Sequence, residues 1–347
     1  MKILYAAGLS PNDSSLYRMW ALERLGHEVK PLNAYEYDAN IEWVRKVTFR
    51  LSAGPGVVKL NRDLMRAVEE FRLDVVWCDK LLWMWPRTLE RLRKMGITTV
   101  SYMIDNPFGP RQDPGWRMYM KAIPHYDLHV TQRDVSVREY VRRSAKNVMK
   151  VQTAYEPTIH FGPAAGWGDK DRDRDVSFVG TPYDDRAEVM ARLWRECGLG
   201  MVISGNERAW KRALDAEAFA AMYREGELYQ SAYREAIWRS KVNLSFLTHS
   251  NQDEYVHKSF EIAACGGFLL AERSAGHSER FVEDVEAVFF TGFDELAAKV
   301  KQYLPDEAAR AQIAAAGRER AVASGYSNDG QVAKIVSRIE ELRGVRA

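Results

Sequence analysis

Residues 175–205 read DVSFVGTPYDDRAEVMARLWRECGLGMVISG. An apolar run ends at Gly180 and Thr181, a polar loop follows, then come an amphipathic stretch, a glycine stop and a second apolar run. Strand, loop, helix and strand in such close succession is the unit from which parallel sheets with crossover helices are built. The N-terminus opens in the same way. MKILYAA is a short apolar run, GLSPNDSS a polar turn, and SLYRMWALERL puts Leu16, Met19, Trp20 and Leu22 along one side of a helix. Gly26 can end that helix in a left-handed conformation, and the next strand begins within a few residues.

Outward from these two openings the alternation continues. In the first half, strands are expected at 2–7, 28–31, 75–78, 98–104, 128–131 and 148–152, with helices at 14–25, 57–71, 85–95 and 135–144. In the second half, strands are expected at 242–246, 267–271 and 287–290. Helices are expected there at 254–264, 293–304, 307–324 and 329–342. Between the halves, YEPTIHFGPAAGWGDKDRDRD (155–175) is rich in Pro, Gly and charge and has no helix or strand period, which marks a domain boundary. The expected organisation is an N-terminal domain over 1–160, a C-terminal domain over 161–326, and a helix over 327–347 that either caps its own domain or crosses back to the first. The fold class is α/β, with two doubly wound, Rossmann-like domains.

Bulk properties agree with an ordinary globular chain. A length of 347 residues suits two domains, each with its own core. Fifty Lys and Arg against 48 Asp and Glu leave a net charge of +2, too small an excess for a nucleic-acid backbone. The basic run REYVRRSAKNVMK (138–150) reads as the polar face of a helix before a strand. Cys78, Cys197 and Cys265 are far apart and odd in number, which favours a reducing compartment. The N-terminus lacks a secretory pattern and no apolar run reaches the length of a membrane span, so cytoplasmic residence is expected. The DRDRD run at 171–175 reads as solvated linker charge. His125 and His129 are four residues apart, but Asp127 and the flanking IPHYDLHVT read as the approach to a strand rather than a zinc helix. His27 and His160 have no local ligand partner and HExxH is absent, so no metal site is expected.

Polar chemistry concentrates in THSNQDEYVHKSFEIAACGG (248–267). Ser250 can cap a helix, with Asp253 three residues on as in a capping box. Backbone N–H groups at that helix start, with Ser250 and Lys258, offer partners for a diphosphate, and His257 can support a leaving group as its charge develops. Glu261 lies three residues after Lys258 and four after His257, so a helix places all three on one side, and its two oxygens can accept two ribose hydroxyls. Gly266 and Gly267 permit a tight turn, and Cys265 reads as a small buried side chain. The same residues also suit a surface helix with a cap, a local salt bridge and a glycine stop.

This segment resembles the nucleotide-sugar signature of retaining glycosyltransferases with the GT-B fold, in which two acids flank seven residues, as Asp253 and Glu261 do. The resemblance implies that Glu261 binds the donor ribose. The first acid here is Asp where Glu is usual, followed by Glu254 and Tyr255 in place of a Gly-Phe-Gly run. The chain is also similar to CgeB-like proteins in the DNP segment at 105–107, in KSFEIAACGGFLLAE (258–272), in HSERFVEDVEAVFFTGFDEL (277–296) and in GRERAVASGYS (317–327). These resemblances imply a GT-B architecture and a nucleotide-diphosphate sugar as donor substrate, a UDP-sugar being favoured. They imply no other cofactor and no metal, and an acceptor that is a glycan, protein or small molecule.

Two further loops fit that picture. Gly180 and Thr181 end one strand, and Gly205 and Asn206 follow the next, so both loops can approach the donor; a turn with a helix cap explains them equally well. In the first half, Asp13 and Asp105 follow strands, where functional crevices form, and either can deprotonate an acceptor hydroxyl. Helix capping by Asp13 and a turn at Asp105 are the structural alternatives. Trp77, Trp83 and Trp85 read as core and interface aromatics before a sugar surface. A nucleotide-sugar epimerase or hydrolase, and a non-catalytic carbohydrate-binding spore-coat or assembly protein, stand as competing functions. The missing GxGxxG after the first strand disfavours a dinucleotide oxidoreductase.

Overall fold

The computed structural model describes residues 1–109 and 114–344. The last three positions of the expected 327–347 helix therefore lie outside the described residues. The chain forms two compact units, Met1–Gln152 with Asn328–Ala347, and Thr153–Ser327.

In the first unit the strands are β1 (Lys2–Ala7), β2 (Glu28–Asn33), β3 (Val75–Asp79), β4 (Thr98–Tyr102), β5 (Leu128–Thr131) and β6 (Val148–Lys150). They lie in the order β2-β1-β3-β4-β5-β6, every pair parallel. Strands β3, β4 and β5 are buried along their whole length, as central strands covered on both faces must be. Alternate residues of β1 feed different cores. Ile3 and Tyr5 join Trp77, Val100 and the helix Ser14–Arg24, while Leu4 and Ala6 join the helices Pro55–Phe71 and Pro86–Lys94.

The helix Asn328–Gly344 completes the first of these layers. Its Val332, Ile335, Val336 and Ile339 are buried against Ile3, Met19 and Leu22. Ion pairs tie both of its ends, Arg24 Nη2 to Asp329 Oδ1 at 2.5 Å and Arg343 Nη2 to Asp74 Oδ1 at 2.7 Å. The helix is thereby part of the first compact unit.

In the second unit β7 (Arg174–Val179), β8 (Met201–Ser204), β9 (Tyr223–Glu225), β10 (Ser240–Ser245), β11 (Leu269–Glu272) and β12 (Val288–Phe290) form a second parallel sheet, ordered β12-β11-β10-β7-β8-β9. Read from β9, this is the Rossmann order, and it reverses between β7 and β10. The first sheet reverses between β1 and β3. At a reversal the loops leaving two adjacent strands diverge to opposite faces and leave a crevice at the carboxyl ends.

Local expectations change as well, since the helices Glu42–Leu51, Trp116–Ala122, Glu207–Ala213, Ala216–Met222 and Gln230–Trp238 are not among the expected ones. Strand β9 is not among the expected elements, because Tyr-Arg-Glu at a half-exposed sheet edge has no apolar run to announce it. The helix expected from 254 begins at His257, with Val256 at its N-cap. Residues His249–Asn251 instead make a single 3-10 turn ended by Gln252 in the left-handed region (φ 55°). The Asn251 amide donates to Asp253 Oδ1 at 3.0 Å. The capping box of Ser250 and Asp253 therefore does not form, since the turn separates both residues from the helix.

Candidate functional site

At the second unit's reversal the loops after β7 and β10 come together. Arg186, at the start of the helix Arg186–Cys197, is buried and joins them. Its guanidinium donates to the carbonyl of Thr181 at 3.2 Å, and to the Leu247 carbonyl and the Thr248 hydroxyl, both at 2.9 Å. Its Nε has no partner, and burial lowers its pKa against the pull of Asp184, Glu272 and Asp253. The sequence does not single out this cation, since Arg after two aspartates reads as one more solvated charge.

Lys258, on the second residue of the helix His257–Ala264, reaches the β7 loop. Its Nζ lies 3.1 Å from where a side chain on Gly180 would begin, and 5.9 Å from the centre of the Phe178 ring. Burial lowers the lysine pKa, the nearby Glu261 carboxylate opposes that shift, and Arg186 adds to it. Two cations therefore stand close together in a place that penalises their charge, an arrangement an anion would relieve. The helix start adds to the same field, for Val256 offers no side-chain cap to its first N–H groups. His257 is its first residue, half-buried.

Glu261 follows Lys258 by three residues and influences buried His160, whose pKa is lowered by burial and drawn back up by Glu261 and Glu156. The helix that holds Lys258 and Glu261 is locked from beneath. His277 Nδ1 faces the Glu272 carbonyl at 2.8 Å, so that nitrogen carries the proton, and Nε2 accepts from the Ser259 hydroxyl at 2.8 Å. Ser259 Oγ in turn lies 3.0 Å from Ser245 Oγ on β10. The whole relay is buried. Its serines and histidine are far apart along the chain, and nothing in their spacing announces the contact.

The loop glycines serve packing at close quarters. A Cβ on Gly205 would lie 2.1 Å from the carbonyl oxygen of Gly180, and both residues have φ values open to glycine, +151° and +158°. The Trp210 indole donates to that same carbonyl at 2.8 Å. Asn206 caps the helix Glu207–Ala213, accepting from the Ala209 N–H at 3.0 Å, so its side-chain oxygen is engaged there. Ser250 is exposed on the 3-10 turn. Beside it, His249 Nε2 meets Glu272 Oε1 at 2.5 Å, and this contact raises the histidine pKa.

The first unit carries a pocket of about 390 Å³ at the β1/β3 reversal, lined by Gly8, Asp13, Tyr35, Asp79, Lys80, Trp83 and Asp105 among others. Asp13 occupies the N-cap position of the helix Ser14–Arg24 without capping it; its carboxylate accepts from the Ser10 N–H at 2.9 Å and from the Tyr35 hydroxyl. Burial and this carboxylate push the Tyr35 phenol up to about 12. Asp105 pairs with Lys80 at 2.6 Å. The floor is Asp79, buried between Arg18 Nε (2.6 Å) and the Tyr5 hydroxyl (2.5 Å), a triad the sequence does not reveal because its members lie on three elements. Of the tryptophans, Trp77 is core and Trp83 lines the pocket. Among the described residues no group of three or more His, Cys, Asp or Glu is arranged to hold a metal ion.

Known proteins share this architecture. Residues 184–337 match a protein family described as Glycosyl transferase-like. No curated protein matches by sequence. Among solved structures, Anabaena HepE in complex with UDP is similar at a TM-score of 0.66 and 13% identity, covering 97% of this chain and 100% of its own. Sucrose-phosphate synthase from Thermosynechococcus elongatus gives 0.67 and 12%, covering 99% and 100%. A UDP-forming trehalose-phosphate synthase from Burkholderia xenovorans gives 0.64 and 14%, covering 97% and 98%. The fold is the two-domain GT-B arrangement, and the C-terminal part of the chain is glycosyltransferase-like in sequence.

Proposed function

We propose that the protein is a cytoplasmic glycosyltransferase that moves a sugar from a nucleotide-diphosphate sugar, a UDP-sugar in the first instance, to a hydroxyl of an acceptor held in the first unit's pocket. The observation that carries this is the geometry at the β7/β10 reversal. There buried Arg186 ties the Thr181 carbonyl to the Leu247 carbonyl and Thr248 hydroxyl, and Lys258 Nζ stands 3.1 Å from the Cβ position of Gly180 at the start of its helix. HepE has been solved with UDP-glucose as well as UDP, which supports the choice of donor. The finer CgeB-like membership rests on the sequence resemblance alone.

In this reading Lys258 and the N–H groups of its helix hold the diphosphate, Arg186 adds field while fixing the two loops, and Glu261 accepts the ribose hydroxyls. Gly180, Thr181 and Gly205 shape the backbone at the donor's edge, with Asn206 and Ser250 at its periphery. Asp13 or Asp105 removes the proton from the acceptor hydroxyl. Its oxygen attacks the sugar carbon, the bond to the diphosphate breaks, and the electron pair stays on the leaving oxygen, where Lys258 and His257 face it. Protein cations take the leaving charge, so no divalent metal is needed.

The test is calorimetric titration with UDP and UDP-glucose in the presence of EDTA. Lys258→Ala is expected to weaken UDP at least about tenfold, the scale of a lost charge-assisted bond. Glu261→Gln is expected to weaken UDP more than 2′-deoxy-UDP. UDP affinity unchanged in both variants would remove this site. Sugar release without acceptor, at the rate seen with acceptor, would favour a hydrolase.

A further inference from the structure

The helix Glu42–Leu51 lies largely on the surface of the first unit, with Thr48 its buried residue. Trp43 is 67% exposed, Val47 46% and Leu51 61%, and Ile41 at the N-cap is 56% exposed. Single exposed apolar side chains are ordinary on a soluble protein. Four within eleven residues are not scattered: positions 43, 47 and 51 repeat every four and make one stripe along the helix. Lys46 and Arg50 each precede a stripe residue by one position, so they flank it on the side away from Thr48.

Charge follows the same pattern. Residues 41–51 hold three Lys and Arg against one Glu, an excess of two in eleven residues where the whole chain of 347 carries +2. An apolar stripe edged by cations, on a helix of ten residues, is far too short to span a bilayer and has the composition of one that lies in its surface. Tryptophan is the side chain best suited to that depth.

We propose that this helix docks the protein onto an anionic lipid bilayer. The stripe enters the headgroup boundary while Arg50 meets lipid phosphates, joined by Lys46 once it exchanges its 2.7 Å ion pair with Glu42 for a phosphate. The alternative of a second copy of the chain is disfavoured by charge, since a two-fold contact through this face would set the same cations against each other. The docked helix also carries Phe49, which lines the first unit's pocket, so a lipid-borne acceptor would approach along it. Docking itself does not depend on the glycosyl-transfer reading.

The experiment is co-sedimentation of the full chain with phosphatidylcholine vesicles, with and without phosphatidylglycerol. Binding is expected only where phosphatidylglycerol is present, and it should fall as salt rises. Trp43→Ser with Leu51→Ser, and separately Lys46→Glu with Arg50→Glu, should each lower binding at least about tenfold. The thermal transition should be unchanged, because all four side chains are on the surface. Equal binding to both vesicle types, or retention by both variants, would overturn the proposal. So would a dimer in sedimentation velocity that the same substitutions abolish.

Discussion

Single residues in this protein are constrained most where the fold buries something titratable or brings backbones together. His277 and His129 are both pushed down to about 4 by burial, from an ordinary value near 6.5. As pH falls below about 6.5 the unfolded chain takes up protons at both positions and the native chain does not, so stability is lost from there down toward pH 4. Each contributes on the order of 3 kcal/mol across that window. Urea unfolding midpoints should fall between pH 6.5 and 5, and fall less in His277→Gln; an identical slope in the variant would remove His277 as a cause. Gly205 offers a sharper case. Gly205→Ala sets a Cβ 2.1 Å from a carbonyl oxygen at a φ of +151°, and about 3 kcal/mol or more should be lost, read as a lower melting temperature and weaker UDP binding. Both glycines are visible in the sequence as strand exits, but their mutual contact is not, since residues 180 and 205 meet only once β7 and β8 are paired.

Elements are more legible than contacts. The limits of β1 follow from an apolar run that ends at a polar turn, as expected of a strand covered on both faces, and β5 matches its expected limits although two of its four buried residues, His129 and Thr131, are polar. Edge strand β9 leaves no such apolar trace, and the helix Glu42–Leu51 is not legible because its apolar stripe at 43, 47 and 51 faces away from the core. Capping spacing at Ser250 and Asp253 sets the start of the helix carrying Lys258 too early; a left-handed Gln252, which spacing does not reveal, ends that turn first. The helix Asn328–Gly344 is readable as a helix, and its destination is not. That destination matters for stability: four of its apolar side chains complete the core around Ile3 and Leu22. A chain ending at Ser327 should therefore expose that layer, bind a hydrophobic dye and lose cooperative unfolding in the first unit. Supplying residues 328–347 as a separate peptide should restore it in part. A truncated chain with an unchanged transition would show that the helix is an accessory.

At the scale of the molecule, each unit has its own sheet, its own cores and its own strand-order reversal, so stability and ligand response should be separable. Every residue assigned to the donor lies within Thr153–Ser327, and the whole pocket assigned to the acceptor lies in the other unit. A ligand that binds one folded unit stabilises that unit by mass action, about 2.7 kcal/mol when present at a hundred times its dissociation constant. Calorimetric unfolding should then show two transitions, of which UDP raises one. That same one should be insensitive to removal of the C-terminal helix, because the helix belongs to the first unit. Residues 153–327 alone should keep the UDP-sensitive transition and the affinity of the full chain within about threefold, since no donor contact is lost. If UDP instead raised both transitions together, or if the isolated segment bound no nucleotide, donor recognition would need residues from the first unit, and the division of labour between the two reversals would have to be redrawn.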